Sequence, residues 1–304
     1  MSGETAPRPA GNSAAPLIAE GRDAGPADTL QIGAHAIARI AGLLHDATGI
    51  TVPREREGLL VRRVADRATA LGLASADAYL RLIQTDGSPA ANESTQRGVA
   101  TSGRGRELQH LAEAMTIHTT GFFRESAHFD WLLREGADHL LGMGAGRERP
   151  LVAWSAACST GQEAYSCAMT LASKSGPAGP LSYRLIGTDL SHRVLARATL
   201  GIYSREEIGD IPEAMRRRFL LRARRGEADR FRIVPELRAR TEWRQCNLAA
   251  AGPGMPRGVD IVFLRNVLIY FDSATRARVV AAAIDCLRPG GVILSGHSEP
   301  LRDP

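Results

Sequence analysis

The sequence is almost without lysine. It has 304 residues and 38 basic side chains, and only Lys174 among them is a lysine; the rest are arginine. No apolar stretch approaches the roughly 18 residues that a membrane span requires, so direct membrane insertion is not expected. The N-terminus lacks a charged segment followed by an apolar one, so export is not expected either. Cysteine is scarce. Cys158, Cys167, Cys246 and Cys286 form no CxxC pair, and their spacing suits neither a zinc site nor a disulfide framework. They read as reduced thiols of a cytoplasmic protein, with no metal expected.

What is present is ordinary in bulk and uneven along the chain. Hydrophobic residues make up 44 % and the formal net charge is +5. An arginine-rich surface suits partners bearing carboxylates or phosphates, because the guanidinium fork matches both. Charge alone leaves acidic helices and nucleic acid open as partners. Residues 1 to about 28 are rich in Ala, Gly, Pro and Ser without apolar periodicity and read as a disordered tail. Helical spacing begins with Ile37, Ile40, Leu44 and Ala47 and stops at Gly49. A second helix runs through Leu60, Val64 and Ala68, a third covers Ala76 to Ile83, and a fourth lies around Leu108 to Met115. The polar stretch 86–105 between them reads as a loop. Residues 29–115 thus form a small helical domain.

From about residue 116 strands alternate with helices. The short apolar run Leu151 to Trp154 and the segments Tyr183 to Gly187, Asp260 to Leu264 and Val292 to Ser295 read as strands. Helices are expected over Glu163 to Ser173, His192 to Ala198 and Ala274 to Leu287. This alternation predicts a doubly wound, Rossmann-like α/β sheet, with its ligand site beyond the carboxyl ends of the strands. Residues from about 214 to 243 interrupt the rhythm. They contain ten arginines between Arg216 and Arg240 and a strand-like Phe231-Arg232-Ile233-Val234, and they read as a small antiparallel insertion.

Four segments carry candidate chemistry. VAWSAACSTGQEAYS, Val152 to Ser166, is a strand, a small-residue loop and a helix start. Small side chains and free N–H groups allow a close ligand, and Glu163 in the first turn suits an amino group. An ordinary βα turn with an acid on the helix dipole explains it about as well. It differs from GxGxxG, so a pyrophosphate is not specifically implied. Asp189, ending the next strand, is either a ribose-binding acid or the N-cap of the following helix. In TTGFFRES, Phe122 and Phe123 read as core, and Arg124-Glu125 alone would be a solvated pair. In VDIVFLRNVLIYF, an apolar strand gives way to Arg265-Asn266, a polar pair at the ligand end of the sheet. Tyr270, four residues after Asn266, is expected one helical turn on, on the same face; a half-buried aromatic is the plain alternative.

Taken together, these segments resemble the CheR family of chemotaxis receptor methyltransferases. The resemblance runs from about Ile32 to Glu299. It includes RRVADRATALGL with Tyr79-Leu80, TTGFFRES, WSAACSTGQEAYS, GTDLS, Gly201 to Tyr203, Cys246 to Leu248, LRNVLIYF and Gly296 to Glu299, in matching order and spacing. It implies a helical N-terminal domain joined, over residues 116–304, to a domain that binds S-adenosylmethionine. By position, Glu163 would hold the cofactor's amino group and Asp189 its ribose. Asn247 and Leu248 would border the adenine, and Asn266 and Val267 would line the same pocket. Thr120 and Arg124 would reach in near the amino acid end and the incoming glutamate, with His118 in the same segment, and Tyr270 would stand near the reacting methyl. Arg62, Arg63 and Arg67 would lie on a receptor-facing basic helix. The arginine-rich insertion would be the family's β-subdomain, which in some members grips a receptor tether.

The activity so implied is methyl transfer from S-adenosylmethionine to receptor glutamates, releasing S-adenosylhomocysteine. It would be performed by a monomeric cytoplasmic enzyme recruited to receptor arrays at the inner membrane, and no nucleic acid partner is implied. Two departures favour another class, a docking module that binds cofactor or receptor without efficient turnover. His118 stands where the family usually has Asn, and the sequence ends at Pro304 where the family continues for another strand or two, which would leave a sheet edge unpaired. The absent GxGxxG argues against an oxidoreductase. The LRNV after the apolar strand argues against a nucleic-acid methyltransferase, which would more naturally carry a (D/N)PPY-like motif there.

Overall fold

The protein is described by a computed structural model covering residues 33–85, 103–116, 119–176, 179–222, 229–252 and 254–301. The tail expected over residues 1–28 and most of the loop expected over 86–105 lie outside these residues. Four helices come first: α1 (Ala34–Thr48), α2 (Glu57–Ala70), α3 (Ala76–Thr85) and α4 (Gly103–Met115). Each buries one stripe. Ile37, Ile40 and Leu44 meet Leu60, Val64 and Ala68, with Tyr79, Ile83, Leu111 and Met115 closing a single core. Helical periodicity of this kind is stabilised mainly by such burial, worth about 1.5–3 kcal/mol per large side chain. Gly49 ends α1 at φ 76° and donates to the His45 carbonyl. A Cβ there would lie 2.3 Å from the Ala249 Cβ, so glycine both stops the helix and admits the second domain.

One acid is buried in this helical core. Glu107 is 5 % exposed. Nε and Nη2 of Arg67 each donate to it at 2.7 Å, and the Tyr79 hydroxyl donates at 2.9 Å. Arg67, expected beside Arg62 and Arg63 on a receptor-facing surface, is half-buried and pairs with this acid. Arg62 is exposed, and Arg63 lies 3.7 Å from Asp66. Burial alone would raise the Glu107 pKa, but the Arg67 and Tyr79 hydrogen bonds outweigh it and hold the carboxyl below its ordinary 4.5.

The second domain is a five-stranded parallel sheet. Its strands are β1 (Leu151–Ala156), β2 (Tyr183–Asp189), β3 (Thr241–Gln245), β4 (Val259–Leu264) and β5 (Leu287–Ser295), in the order β5-β4-β1-β2-β3. Helices α5 (Gln162–Ser173), α6 (His192–Leu200) and α7 (Ser273–Cys286) cover it. Strand β1 is buried along its whole length and divides its side chains with period two. Leu151 and Ala153 join Tyr165, Met169 and Phe263 on one face, while Val152 and Trp154 join Val262, Val279 and Ala283 on the other. This is the predicted fold class.

The arginine-rich region differs from expectation in its bounds. The antiparallel sheet is built from Ile202–Ser204, Arg230–Ile233 and Leu220–Arg222, with Arg230–Ile233 in the middle. Thr241–Gln245, placed partly in the insertion by sequence, pairs in parallel with β2. It escaped detection because TEWRQ is polar and only half-buried, as an edge strand allows.

The two domains are joined close to the strand ends. The Thr51 amide donates to the Tyr270 carbonyl at 2.8 Å, and Ile50 bridges Phe271. Nδ2 of Asn247 donates to the Ala47 carbonyl at 2.9 Å, Nε2 of Gln109 donates to the Leu190 carbonyl at 3.0 Å, and His45 lies 2.8 Å from Asp272.

Replacing Glu107 with alanine should lower the unfolding free energy by about 3 kcal/mol in urea melts, since it strands the Tyr79 hydroxyl and the Arg67 guanidinium. Because the folded-state pKa is depressed, this stabilisation is present above pH 4.5 and lost as pH falls below it. The gap between wild type and variant should therefore narrow in acid.

Candidate active site

A cavity opens beyond the carboxyl ends of β1, β2 and β4. The loops after these strands form its floor, and Thr48, Ile50, Glu113 and Thr116 of the helical domain form part of its wall. Backbone strain gathers around it. Of the six non-glycine residues with positive φ among those described, five lie in the loops around the cavity: Phe123, Glu125, Ala157, Ser159 and Asn266. Such conformations cost about 1–3 kcal/mol each and persist only where surrounding contacts enforce them.

The loop after β1 is held by Asp189. One carboxylate oxygen accepts from the Ser159 amide at 2.9 Å and the other from the Ser191 amide at 3.0 Å. Ser191, not Asp189, caps α6, its hydroxyl accepting from the Val194 amide. Asp189 therefore ties two loops together at the end of β2 while lining the cavity. The Ser159 hydroxyl is buried without a hydrogen-bond partner among the described residues. Burial pushes the Cys158 thiol in the same loop well up, so it stays protonated and is no nucleophile.

Glu163 stands in the first turn of α5. It accepts from the Ser155 hydroxyl at 2.6 Å and pairs with Nη1 of Arg265 at 3.2 Å. Burial pushes its pKa up to about 7, against the pull of Arg265 and Ser155. Arg265 is itself 4 % exposed. Its Nη2 lies 3.2 Å from Glu125 and donates to the Arg124 carbonyl at 2.5 Å, and its guanidinium sits over the Phe129 ring. The TTGFFRES loop is thus pinned from below. Phe122 is fully buried edge-on against Tyr203, and the Phe123 amide donates to the Ser166 hydroxyl at 2.9 Å. Arg124 remains exposed at the cavity, with Nη1 donating to the Thr119 carbonyl at 2.7 Å.

After β4 the chain turns on a buried acid. Glu299 is 1 % exposed and accepts from the Asn266 and Ile269 amides. A Cβ on Gly296 would meet its carboxylate at 2.6 Å, so a glycine is needed there. The expectation of one helical turn from Asn266 to Tyr270 is corrected: Asn266 has φ 56° and only Leu268–Tyr270 is helical, as a 3-10 turn. The Glu299 carboxylate imposes this shape, and Asn266 and Tyr270 reach the cavity all the same.

The structure brings together Thr120, Arg124, Glu163, Asp189, Asn247, Leu248, Asn266, Val267 and Tyr270 around this one cavity. His118 lies outside the described residues. Sequence reasoning left Arg265, Glu125, Glu299 and Ser159 out of the site. For Arg265, Glu125 and Glu299 the signal was present as the polar pair after an apolar strand and as the acids within FFRE and GHSE, but their partners lie far away in the chain.

Residues 118–304 match the family model described as the CheR methyltransferase SAM binding domain, and residues 35–94 match the CheR methyltransferase all-alpha domain. The chain belongs to the CheR methyltransferase family. It is 35 % identical over 257 residues to chemotaxis protein methyltransferase 2 of Pseudomonas aeruginosa, covering 84 % of this chain and 83 % of that one. It is 33 % identical over 261 residues to the chemotaxis protein methyltransferase of Escherichia coli, covering 86 % and 82 %. The CheR site fits S-adenosylmethionine on its own chemistry. It offers an unpartnered buried hydroxyl at Ser159, a carboxylate at Glu163 suited to an ammonium, and a second carboxylate at a strand end, the usual place for a ribose. Among the described residues no helix is long and apolar enough to cross a membrane.

Two outcomes follow for this CheR domain. An ammonium held at Glu163 would favour its ionised form, and burial places the Glu163 pKa at about 7 without one. Affinity for S-adenosylhomocysteine should therefore fall as pH drops from 8 to 6, and Glu163→Gln should flatten that profile in calorimetric titrations. Replacing Arg265 with methionine removes the guanidinium that pairs with both Glu163 and Glu125, and should weaken the same binding about tenfold or more at pH 7.

Proposed function

We propose that this CheR-family protein transfers a methyl group from S-adenosylmethionine to glutamate side chains on the cytoplasmic helices of a chemotaxis receptor, forming glutamyl methyl esters. The observation that carries the reading is Arg124: an exposed guanidinium at the rim of a cavity lined by acids, on a strained loop pinned by a buried arginine. A cation so placed orients an incoming carboxylate bidentately.

The chemistry needs little else. A glutamate carboxylate, with a pKa of about 4.3, is already ionised at neutral pH and requires no general base. Bound in the cavity, S-adenosylmethionine supplies a methyl group activated by its sulfonium. Glu163 holds the amino group at one end and Asp189 the ribose, while Asn247, Leu248, Asn266 and Val267 wall the adenine side. Thr120 and Arg124 stand at the amino acid end, and the Tyr270 hydroxyl donates to the receiving carboxylate. Catalysis is then positioning, with the reacting atoms held in line, an effect worth up to about 7–11 kcal/mol. Arg62 contributes to the surface that meets the receptor's acidic helices, and the reaction takes place on the cytoplasmic side of the membrane.

Arg124→Ala should cut kcat about 100-fold on receptor helices while thermal melting stays unchanged, and Tyr270→Phe should cut it about tenfold. Transfer is read as base-labile methanol from labelled cofactor, which identifies an ester. Full turnover in Arg124→Ala, or equal labelling of receptor helices whose acceptor glutamates are replaced by glutamine, would remove the reading.

A further inference from the structure

The helical domain contributes one acid to the cavity that the proposed function does not use. Glu113 lies near the end of α4, its side chain 11 % exposed, and lines the cavity together with Asp189, Leu190, Ser191 and Asn247. Its position is fixed by the turn before it. Gln109 is four residues earlier on the same helical face, and it donates to the Leu190 carbonyl at 3.0 Å. This clamps α4 onto the segment that follows Asp189.

Glu113 is nevertheless poorly compensated. Its ion pair, to Nε of Arg193, is 3.9 Å long, and the Arg193 side chain is 78 % exposed. No described residue donates a hydrogen bond to its carboxylate. A mostly buried carboxylate that lines a cavity and has no close donor of its own can accept one from a ligand. Glu163, by contrast, has Ser155 and Arg265. Asp189 already accepts two amides, one on each oxygen, which reduces its capacity for further donors.

We propose that Glu113 is a cofactor-binding carboxylate, accepting a hydrogen bond from the nucleoside part of S-adenosylmethionine. The donors available on that part are the two ribose hydroxyls and the adenine amino group. The inference rests on cofactor binding alone, not on the identity of the methyl acceptor. It makes the helical domain part of the cofactor site. By linkage, bound cofactor then holds this domain against the sheet, and any partner whose binding shifts α4 changes cofactor affinity by the factor by which cofactor changes that partner's affinity.

The test is calorimetric titration of the full chain with S-adenosylhomocysteine at pH 8, on wild type, Glu113→Ala, Glu113→Gln and Arg193→Ala. Glu113→Ala should bind about tenfold more weakly or worse, Glu113→Gln should fall between, and Arg193→Ala should stay within about twofold of wild type. The alanine penalty should disappear for one of three ligand analogues, 2′-deoxy, 3′-deoxy or N6,N6-dimethyl, and that analogue names the donor. Glu113→Ala binding as wild type does overturns the proposal. So does a penalty that persists with all three analogues, or one reproduced by Arg193→Ala, because the acid then acts by bracing α4. A wild type that fails to bind fails the cofactor site as a whole, which no Glu113 variant can mimic.

Discussion

The guanidinium of Arg265 lies at the end of β4 with 1 % of its side chain exposed, and separate elements end on it. Glu163 approaches from α5, Glu125 and the Arg124 carbonyl from the FFRE loop, and the Phe129 ring from the helix beyond it. Burying an arginine is unfavourable unless acceptors meet it, and here two carboxylates and a carbonyl meet the two Nη atoms, while Nε has no hydrogen-bond partner among the described residues. The same contacts set the site's chemistry. Arg265 limits how far burial raises Glu163, keeping its pKa near 7. It also fixes the backbone that carries Arg124, so the cation at the rim is aimed by the cation in the core.

Strain is distributed around the same centre. Phe123 and Glu125 hold positive φ on either side of Arg124, and Ala157 and Ser159 do so in the loop tied down by Asp189. Asn266 does so above the carboxylate of Glu299. In each case a buried acid or base pins the strained backbone through a hydrogen bond, so stability given up locally is recovered in the network. The helical domain completes the enclosure. Its α1 end and α4 face are stitched to the turns that carry Asn247, Tyr270 and Leu190, and residues from both domains meet across one cavity.

Much of this was legible beforehand. Alternating strands and helices pointed to a parallel sheet, since β1 and the stretches 185–187 of β2 and 261–264 of β4 are apolar and buried, as a doubly covered sheet requires. The helical stripes of Ile37, Ile40 and Leu44, and of Leu60, Val64 and Ala68, point inward as their spacing requires. The fifth strand was not legible, because TEWRQ is polar and lies at a sheet edge. Nor was the fate of Arg67. A basic residue on an amphipathic helix reads as surface until Glu107, forty positions on, is seen beneath it.

The sequence by itself determined the fold class, the family and the neighbourhood of the site, because periodicity and short motifs are local properties. Only the tertiary structure decided which polar residue serves which. Asp189 is a loop tie and Ser191 the helix cap, although both suit either role locally. Arg265 is a buried hub, and Glu299 shapes a turn more than thirty residues before it. Glu113 of the helical domain lines a cavity that it shares with the strand-end loops of the other. The reason is physical: a charged side chain's state depends on what shares its low-dielectric surroundings, and those neighbours are brought together by packing, across separations that no local pattern encodes.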